Sequence, residues 1–366
     1  MEKNKTLTIY IICLFSIIIL GLIMIYSASN VWAEYKYGNK YYYLIRQLIF
    51  FFLGLIAFIF SSRIKYTFWK EHANKILFVC FILLVLVLIP GIGIVRGGAR
   101  SWIGFGSFSI QPSEFMKFGC IVFTSKFLSN NQGILKKNKY FYLYTLFIGI
   151  IIGLVFLQPD FGSAVVLLSS ILILMFIGEF QIKNIIIGGA FLMLGLAILI
   201  IIAPYRMDRI KAFINPWNDP LGSGFQIIQS LYAISPASLF GYGLFNSKQK
   251  YFFLPEPAND FIFCIVIEEL GIIGGLILIF LFAILIQIGY SLSLNIKDSF
   301  AKYLSFGITT LLMIQVFINI AVVTGTIPTT GINLIFVSYG GSSLLINMFM
   351  TGIMVNIIKS QKNLRI

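Results

Sequence analysis

Long apolar runs alternate with short polar connections along almost the whole chain. The runs are about 18 to 25 residues long, enough to cross a hydrocarbon core of roughly 30 Å as helix. They lie near 8–28, 44–61, 75–93, 112–130, 140–157, 162–178, 184–203, 261–289, 303–325 and 333–358. Alternating ten-residue segments, the mark of a membrane barrel, are absent. The pattern predicts an all-α polytopic membrane protein of about ten transmembrane helices. One connection, 204–259, breaks the rule of short loops, which are ordinarily about 4–6 residues. It is rich in Phe, Tyr, Leu and Gly, and its segment FQIIQSLYAI has helical spacing. It is expected to pack on the ends of the spans as a large outer loop between spans 7 and 8. No repeat or low-complexity linker divides the chain, which reads as one membrane domain, 1–366.

Composition agrees: 59% of residues are hydrophobic and 11% charged, against roughly 25% charged in soluble domains. The formal net charge of +14 could suggest nucleic acid, but its distribution suits a membrane better. If the N-terminus is cytoplasmic, the inner segments hold about 16 Lys and Arg. The short outer segments hold five: Lys36, Lys40, Arg46, Arg96 and Arg100. The positive-inside rule then puts both termini in the cytoplasm. The first apolar run, near 19 residues, is too long for a signal-peptide core and reads as an uncleaved span. Cys13, Cys80, Cys120 and Cys264 sit in apolar runs without disulfide or metal spacing. His72 is the only histidine, which argues against a His-based triad or a His-rich metal site.

Four polar clusters need a reason, and this topology puts all of them at or near the outer face. In RGGARSWIGFGSFSIQPSEFMK, Arg100 and Trp102 lie in a Gly-rich loop, and Pro112 suits a first helical turn. Glu114 and Lys117 fall one turn apart, as a packing ion pair or as the wall of a polar cavity. In QPDFGS, Asp160 is either a helix cap or a site residue. SYGGSS, residues 338–343, allows close helix approach or an irregular, cavity-lining backbone within the last span. The fourth, YFFLPEPANDFIFCIVIEEL, gathers Glu256, Asp260, Glu268 and Glu269, four of only 13 acidic residues. Arg206, Arg209, Lys211, Lys248 and Lys250 precede it. Basic groups bind phosphate oxygens, and a carboxylate can take a proton from a hydroxyl. Together they point to chemistry on a phosphorylated lipid at the outer leaflet. Glu268 and Glu269 lie deeper, for pairing or for function.

These segments, together with NPWNDPLGSGFQIIQSLYAI, SKQKYFFLPEP and TGINLIFVSYGGSS, occur in an order and spacing that resemble the SEDS family (shape, elongation, division and sporulation), whose members include FtsW, RodA and SpoVE. The resemblance covers nearly the whole chain and is strongest to the SpoVE and FtsW branch. It implies a ten-span peptidoglycan glycosyltransferase. Such an enzyme polymerises lipid II, an undecaprenyl-pyrophosphate disaccharide-peptide, at the outer face of the plasma membrane beside a class B penicillin-binding protein. The family's essential aspartate maps to Asp260, and its glutamate to Glu256. Glu114, Lys117 and Asp160 match polar positions of the family cavity. Arg100, Arg209, Lys248 and Lys250 are the candidates for holding pyrophosphate. A divalent cation, Mg or Mn, is implied as a helper, without a ligand set legible here. Ser235, Pro236, Ala237 and Ser238 replace a Gly-rich run of the family, Asn259 a common Thr, and Ile335 a usual Pro. Two further readings fit the same clusters: a lipid II flippase, and an inactive scaffold that recruits the penicillin-binding protein.

Overall fold

The computed structural model describes residues 3–96, 98–105, 108–132, 138–202 and 204–361. Among the described residues, ten long helices overlap the ten apolar runs. They are α1 (Lys3–Tyr37), α2 (Tyr42–Arg63), α3 (Tyr66–Leu86), α4 (Pro112–Asn130), α5 (Asn138–Leu157), α6 (Phe161–Ile177) and α7 (Ile182–Ile202), then α10 (Ile262–Asn295), α11 (Ser299–Val323) and α12 (Gly341–Ser360). The long connection is folded, as expected, around two short helices, α8 (Pro204–Ile214) and α9 (Phe225–Ile234). Among the described residues, five helices, those containing Asn4–Tyr37, Tyr42–Arg63, Ile262–Asn295, Ser299–Val323 and Gly341–Ser360, are long and apolar enough to cross a membrane.

Helix α11 is the centre of the bundle. It packs on α4, α6 and α10, and 78% of its apolar window is inside the protein, against 33% for α10. The exposed remainder of α10 is apolar, including Ile272, Leu276, Ile277 and Phe280, as a lipid-facing helix requires. Helix α12 lies along α2, and glycines permit the approach. Phe50 lies against Gly341, and Met348 of α12 lies against Gly54 of α2.

Three segments differ from expectation. The third helix is displaced toward the N-terminus. It starts at Tyr66, through the polar residues Lys70, Glu71 and His72, and ends at Leu86, before Pro90 and Gly91 (φ 93°). After it the chain forms a three-stranded antiparallel sheet, β1 (Gly93–Arg96), β2 (Ala99–Phe105) and β3 (Phe108–Ile110). Apolar length does not distinguish a helix end from a buried hairpin. The last apolar run is also not one helix. Gly325 (φ 69°) ends α11, and α12 starts only at Gly341. The irregular backbone between them is held by protein partners: Asn319 Nδ2 donates to Ile332 O at 2.7 Å, and Gly340 N to Gln47 Oε1 at 3.2 Å. Non-helical backbone at membrane depth needs such partners.

Helix α10 is broken at Gly271 (φ 74°, ψ −177°). Residues 238–243 fill the break with backbone bonds: Tyr242 N to Glu268 O and Gly243 N to Glu269 O, both 2.9 Å, and Ile272 N to Ser238 O and Ile273 N to Leu239 O, both 3.2 Å. A Cβ on Gly271 would overlap the Leu239 carbonyl oxygen, and this φ/ψ region is essentially confined to glycine. Gly271→Ala should therefore lower stability by at least about 1–3 kcal/mol, read as a lower thermal midpoint of the detergent-solubilised protein.

Candidate active site

Asp260 lies two residues before α10, outside the helix, at the end of the bundle that carries 204–259. Its backbone is clamped on two sides: Asn319 Nδ2 of α11 donates to Asp260 O at 2.7 Å, and Tyr339 N donates to Ala258 O at 2.8 Å. Asp260 keeps part of its surface open to solvent, yet protein surrounds its carboxyl. That loss of hydration pushes its pKa up to about 6, and the charge of Glu256 adds to the rise. Its own backbone N–H and the Arg209 guanidinium oppose it. Glu256 is exposed, with a backbone φ of 46°. Asn259 Nδ2 donates to its Oε2 at 2.6 Å, a bond made by the residue that stands where Thr is common.

Arg209, on α8, donates to Thr329 O at 3.2 Å. Beside it, Asp208, Gly222, Ser223, Gln226 and Thr329 complete a concavity of about 350 Å³. The charges of Glu256 and Arg209 both act on the Asp260 carboxyl. The other candidate cations are engaged elsewhere. Arg100, on β2, donates to Leu88 O at 3.4 Å. Lys248 Nζ lies over the Tyr242 ring, 4.5 Å from its centroid. Lys250 is buried, its Nζ bonded to Phe245 O and 3.4 Å from Glu269 Oε1.

Glu114, Lys117 and Asp160 meet in a second, internal site. Lys117 Nζ is 2.7 Å from Glu114 Oε1, and both side chains are buried. With Gln111, Ser163, Gln315, Ile332 and Asn333 they line a polar cavity of about 40 Å³, room for a water but not for a sugar ring. Glu114 Oε2 and Gln315 Oε1 are buried there without a hydrogen-bond partner. Asp160 caps α6 through Ser163 N (3.1 Å) and also accepts from Gln111 Nε2 (2.8 Å) and Ser113 Oγ (2.7 Å). Asp160→Ala should cost about 1–2 kcal/mol as a lost cap. Asp160→Asn, which retains an acceptor oxygen, should keep most of that stability in the same thermal melt.

Asn319 and Gln315 carried no weight in the sequence reading. Asn319 bonds both Asp260 O and Ile332 O, so it ties the loop of the carboxylate to the wall of the internal cavity. Their signal was available: two amides four residues apart in an otherwise apolar helix lie on one face. Glu268 and Glu269 are structural. Glu268 accepts from Ser247 Oγ (2.5 Å) and the backbone N–H groups of Lys248 (2.9 Å) and Gln249 (3.3 Å). Glu269 accepts from Ser27 Oγ (2.6 and 2.7 Å), Phe245 N and Ser247 N (both 3.0 Å). Among the described residues no three of His, Cys, Asp and Glu lie close enough to hold a metal ion.

The chain is similar over nearly its full length to proteins of known kind. It is 45% identical to stage V sporulation protein E of Bacillus subtilis, over 97% of this chain and 98% of that protein. It is 41% identical to a probable peptidoglycan glycosyltransferase FtsW of Trichlorobacter lovleyi, over 97% and 93%. Its fold matches a chain of a peptidoglycan synthase complex, solved to show how polymerization and crosslinking are coordinated, with a TM-score of 0.78, 27% identity and 96% of both chains covered. It also matches the rod shape determining protein RodA of Thermus thermophilus in fold, with a TM-score of 0.71, 23% identity and 97% of both chains. The model of the cell cycle protein family of FtsW, RodA and SpoVE matches residues 7–363, and this multi-pass membrane protein belongs to that family.

Proposed function

We propose that the chain is a peptidoglycan glycosyltransferase that polymerises lipid II at the outer face of the plasma membrane. The observation that carries this reading is Asp260: a carboxylate whose backbone is clamped on two sides, acted on by the charge of Arg209, which lines a concavity; its pKa is pushed up to about 6. A general base works best when its pKa lies near the working pH. Asp260 takes the proton of the 4-hydroxyl of an acceptor N-acetylglucosamine. The freed oxygen attacks the anomeric carbon of the donor N-acetylmuramic acid on the face opposite the leaving group. The new glycosidic bond forms with inversion, and undecaprenyl pyrophosphate departs with the electron pair of the broken bond. Charge grows on that phosphate as it leaves, and Arg209 is the cation placed to offset it. Lys250 is assigned to the scaffold instead, because its charge is already paired with Glu269.

Both termini are placed in the cytoplasm by the basic bias of the connections. A class B penicillin-binding protein is the proposed partner, by analogy with the synthase complex that the fold resembles. The test is polymerisation of lipid II by the purified chain in detergent or nanodiscs with such a partner. Glycan polymer is the expected product. The broken helix α10 and the buried Glu114–Lys117 pair favour one second reading, a flippase, because transporters use discontinuous helices near polar midplane sites. Lipid II crossing liposomes that hold this chain alone, with no polymer formed by the complex, would establish that reading.

A further inference from the structure

Helix α1 has 35 residues, about 52 Å at 1.5 Å per residue. That exceeds the roughly 40–45 Å of a bilayer with its headgroups. Its apolar stretch gives way to polar residues at Ser27, and the helix runs on to Tyr37. There the sequence EYKYGNKYYYLIR, residues 34–46, places five tyrosines and three cations together with one acid. Four rings form a connected row, and two tyrosines lie outside it: Tyr35 meets Phe252 and Tyr41 stacks on Tyr26, both at 5.3 Å. Tyr37 stacks on Tyr42 at 3.8 Å between centroids, Tyr37 meets Tyr43 at 6.0 Å, and Tyr43 meets Tyr339 at 4.9 Å. Lys36, Lys40 and Arg46 lie over Tyr37, Tyr41 and Tyr42 at 5.6, 5.2 and 5.2 Å. Tyr35, Tyr37 and Tyr41 are 79%, 41% and 44% exposed.

The row begins at the catalytic loop. Tyr339 N bonds Ala258 O, two residues from Asp260. Of the row, Tyr37 is exposed, and Tyr42, Tyr43 and Tyr339 are half-buried.

We propose that this tyrosine row holds the growing glycan strand as it leaves Asp260. Tyrosine faces stack against the C–H faces of pyranose rings, and their hydroxyls bond sugar hydroxyls. Lys36, Lys40 and Arg46 complement the carboxylates of the peptides that each disaccharide carries. The charge and the continuity with the catalytic loop favour an anionic sugar polymer over a protein partner. The inference rests on the glycosyltransferase reading for its source of strand, but it is tested separately from it.

The variant is Tyr37→Ala with Tyr42→Ala in the full chain, and the control is Tyr37→Phe with Tyr42→Phe, which keeps both rings. Two measurements are made: strand length on gels alongside lipid II consumption, and anisotropy of a labelled, lipid-free, peptide-bearing glycan octamer on the protein in nanodiscs. The Ala pair should shorten strands by more than it slows lipid II consumption. It should weaken octamer binding about tenfold, equivalent to ~1.4 kcal/mol, while the Phe pair stays near wild type. Equal octamer binding by the Ala pair and wild type overturns the platform, whatever the enzyme does. So does loss of the penicillin-binding partner with octamer binding intact, which would make the row a protein interface. If wild type makes no polymer yet binds the octamer through these rings, the reaction assignment falls and the platform stands.

Discussion

Asp260→Asn should lower polymer formation from lipid II by about 10²–10⁴-fold, the range for loss of a general base. The substitution keeps shape and removes only the basic oxygen. The folded pKa lies above the ordinary carboxylate value of 3.8, so the fold disfavours the charged form, and ionised Asp260 costs stability above about pH 6. Neutral asparagine should therefore leave the thermal midpoint at pH 7 unchanged or slightly higher, which separates lost chemistry from lost folding. The same sign sets the pH profile. The base acts ionised, so wild-type kcat/KM should rise with pH through a midpoint near 6. Arg209→Gln removes a cation that opposes the rise, so it should move that midpoint up. Glu256→Gln removes an anion that adds to it, so it should move the midpoint down. Full polymerisation by Asp260→Asn would sink the assignment.

Asp260 stands out in the sequence as a candidate because an acid at the head of a long apolar run has few reasons to be there. Helix α4 was legible to the residue, since Pro112 marks a first turn and the apolar run ends at polar Asn130. The failures share one cause: hydropathy reports burial, not backbone shape. The run 75–93 is apolar beyond the end of α3 at Leu86, and the backbone before Gly341 is apolar without being helical, because other protein segments supply its hydrogen bonds. Charge misled in the same way at Lys250. A lysine in a basic loop looks available to a phosphate until its partner, 19 residues on and folded back across a broken helix, is known. The fate of Glu269 likewise depended on Ser27, 242 residues away. No local pattern could supply it.

Glu269→Leu should cost about 3–5 kcal/mol, the range for removing one partner of a buried ion pair. It would be read as a large drop in the thermal midpoint in detergent. Wild-type Glu269 is wholly buried and joins three parts of the molecule: Ser27 of α1, the N–H groups of Phe245 and Ser247, and the Lys250 ammonium. Leucine fills much of the space and accepts nothing, so a buried cation and two backbone donors lose their acceptor. Adding Lys250→Met should restore part of the loss by removing the uncompensated charge. The recovery should be incomplete, because each N–H left unsatisfied still costs about 1–3 kcal/mol. An additive cycle, with no recovery in the double variant, would show that the pair is not coupled. The network also fixes the backbone between the broken helix and the loop that leads to Asp260. Loss of Glu269 should therefore reduce polymerisation at temperatures where the protein is still folded. The pH midpoint set by Asp260 should stay where it is, because Glu269 acts through the scaffold and not on the carboxylate.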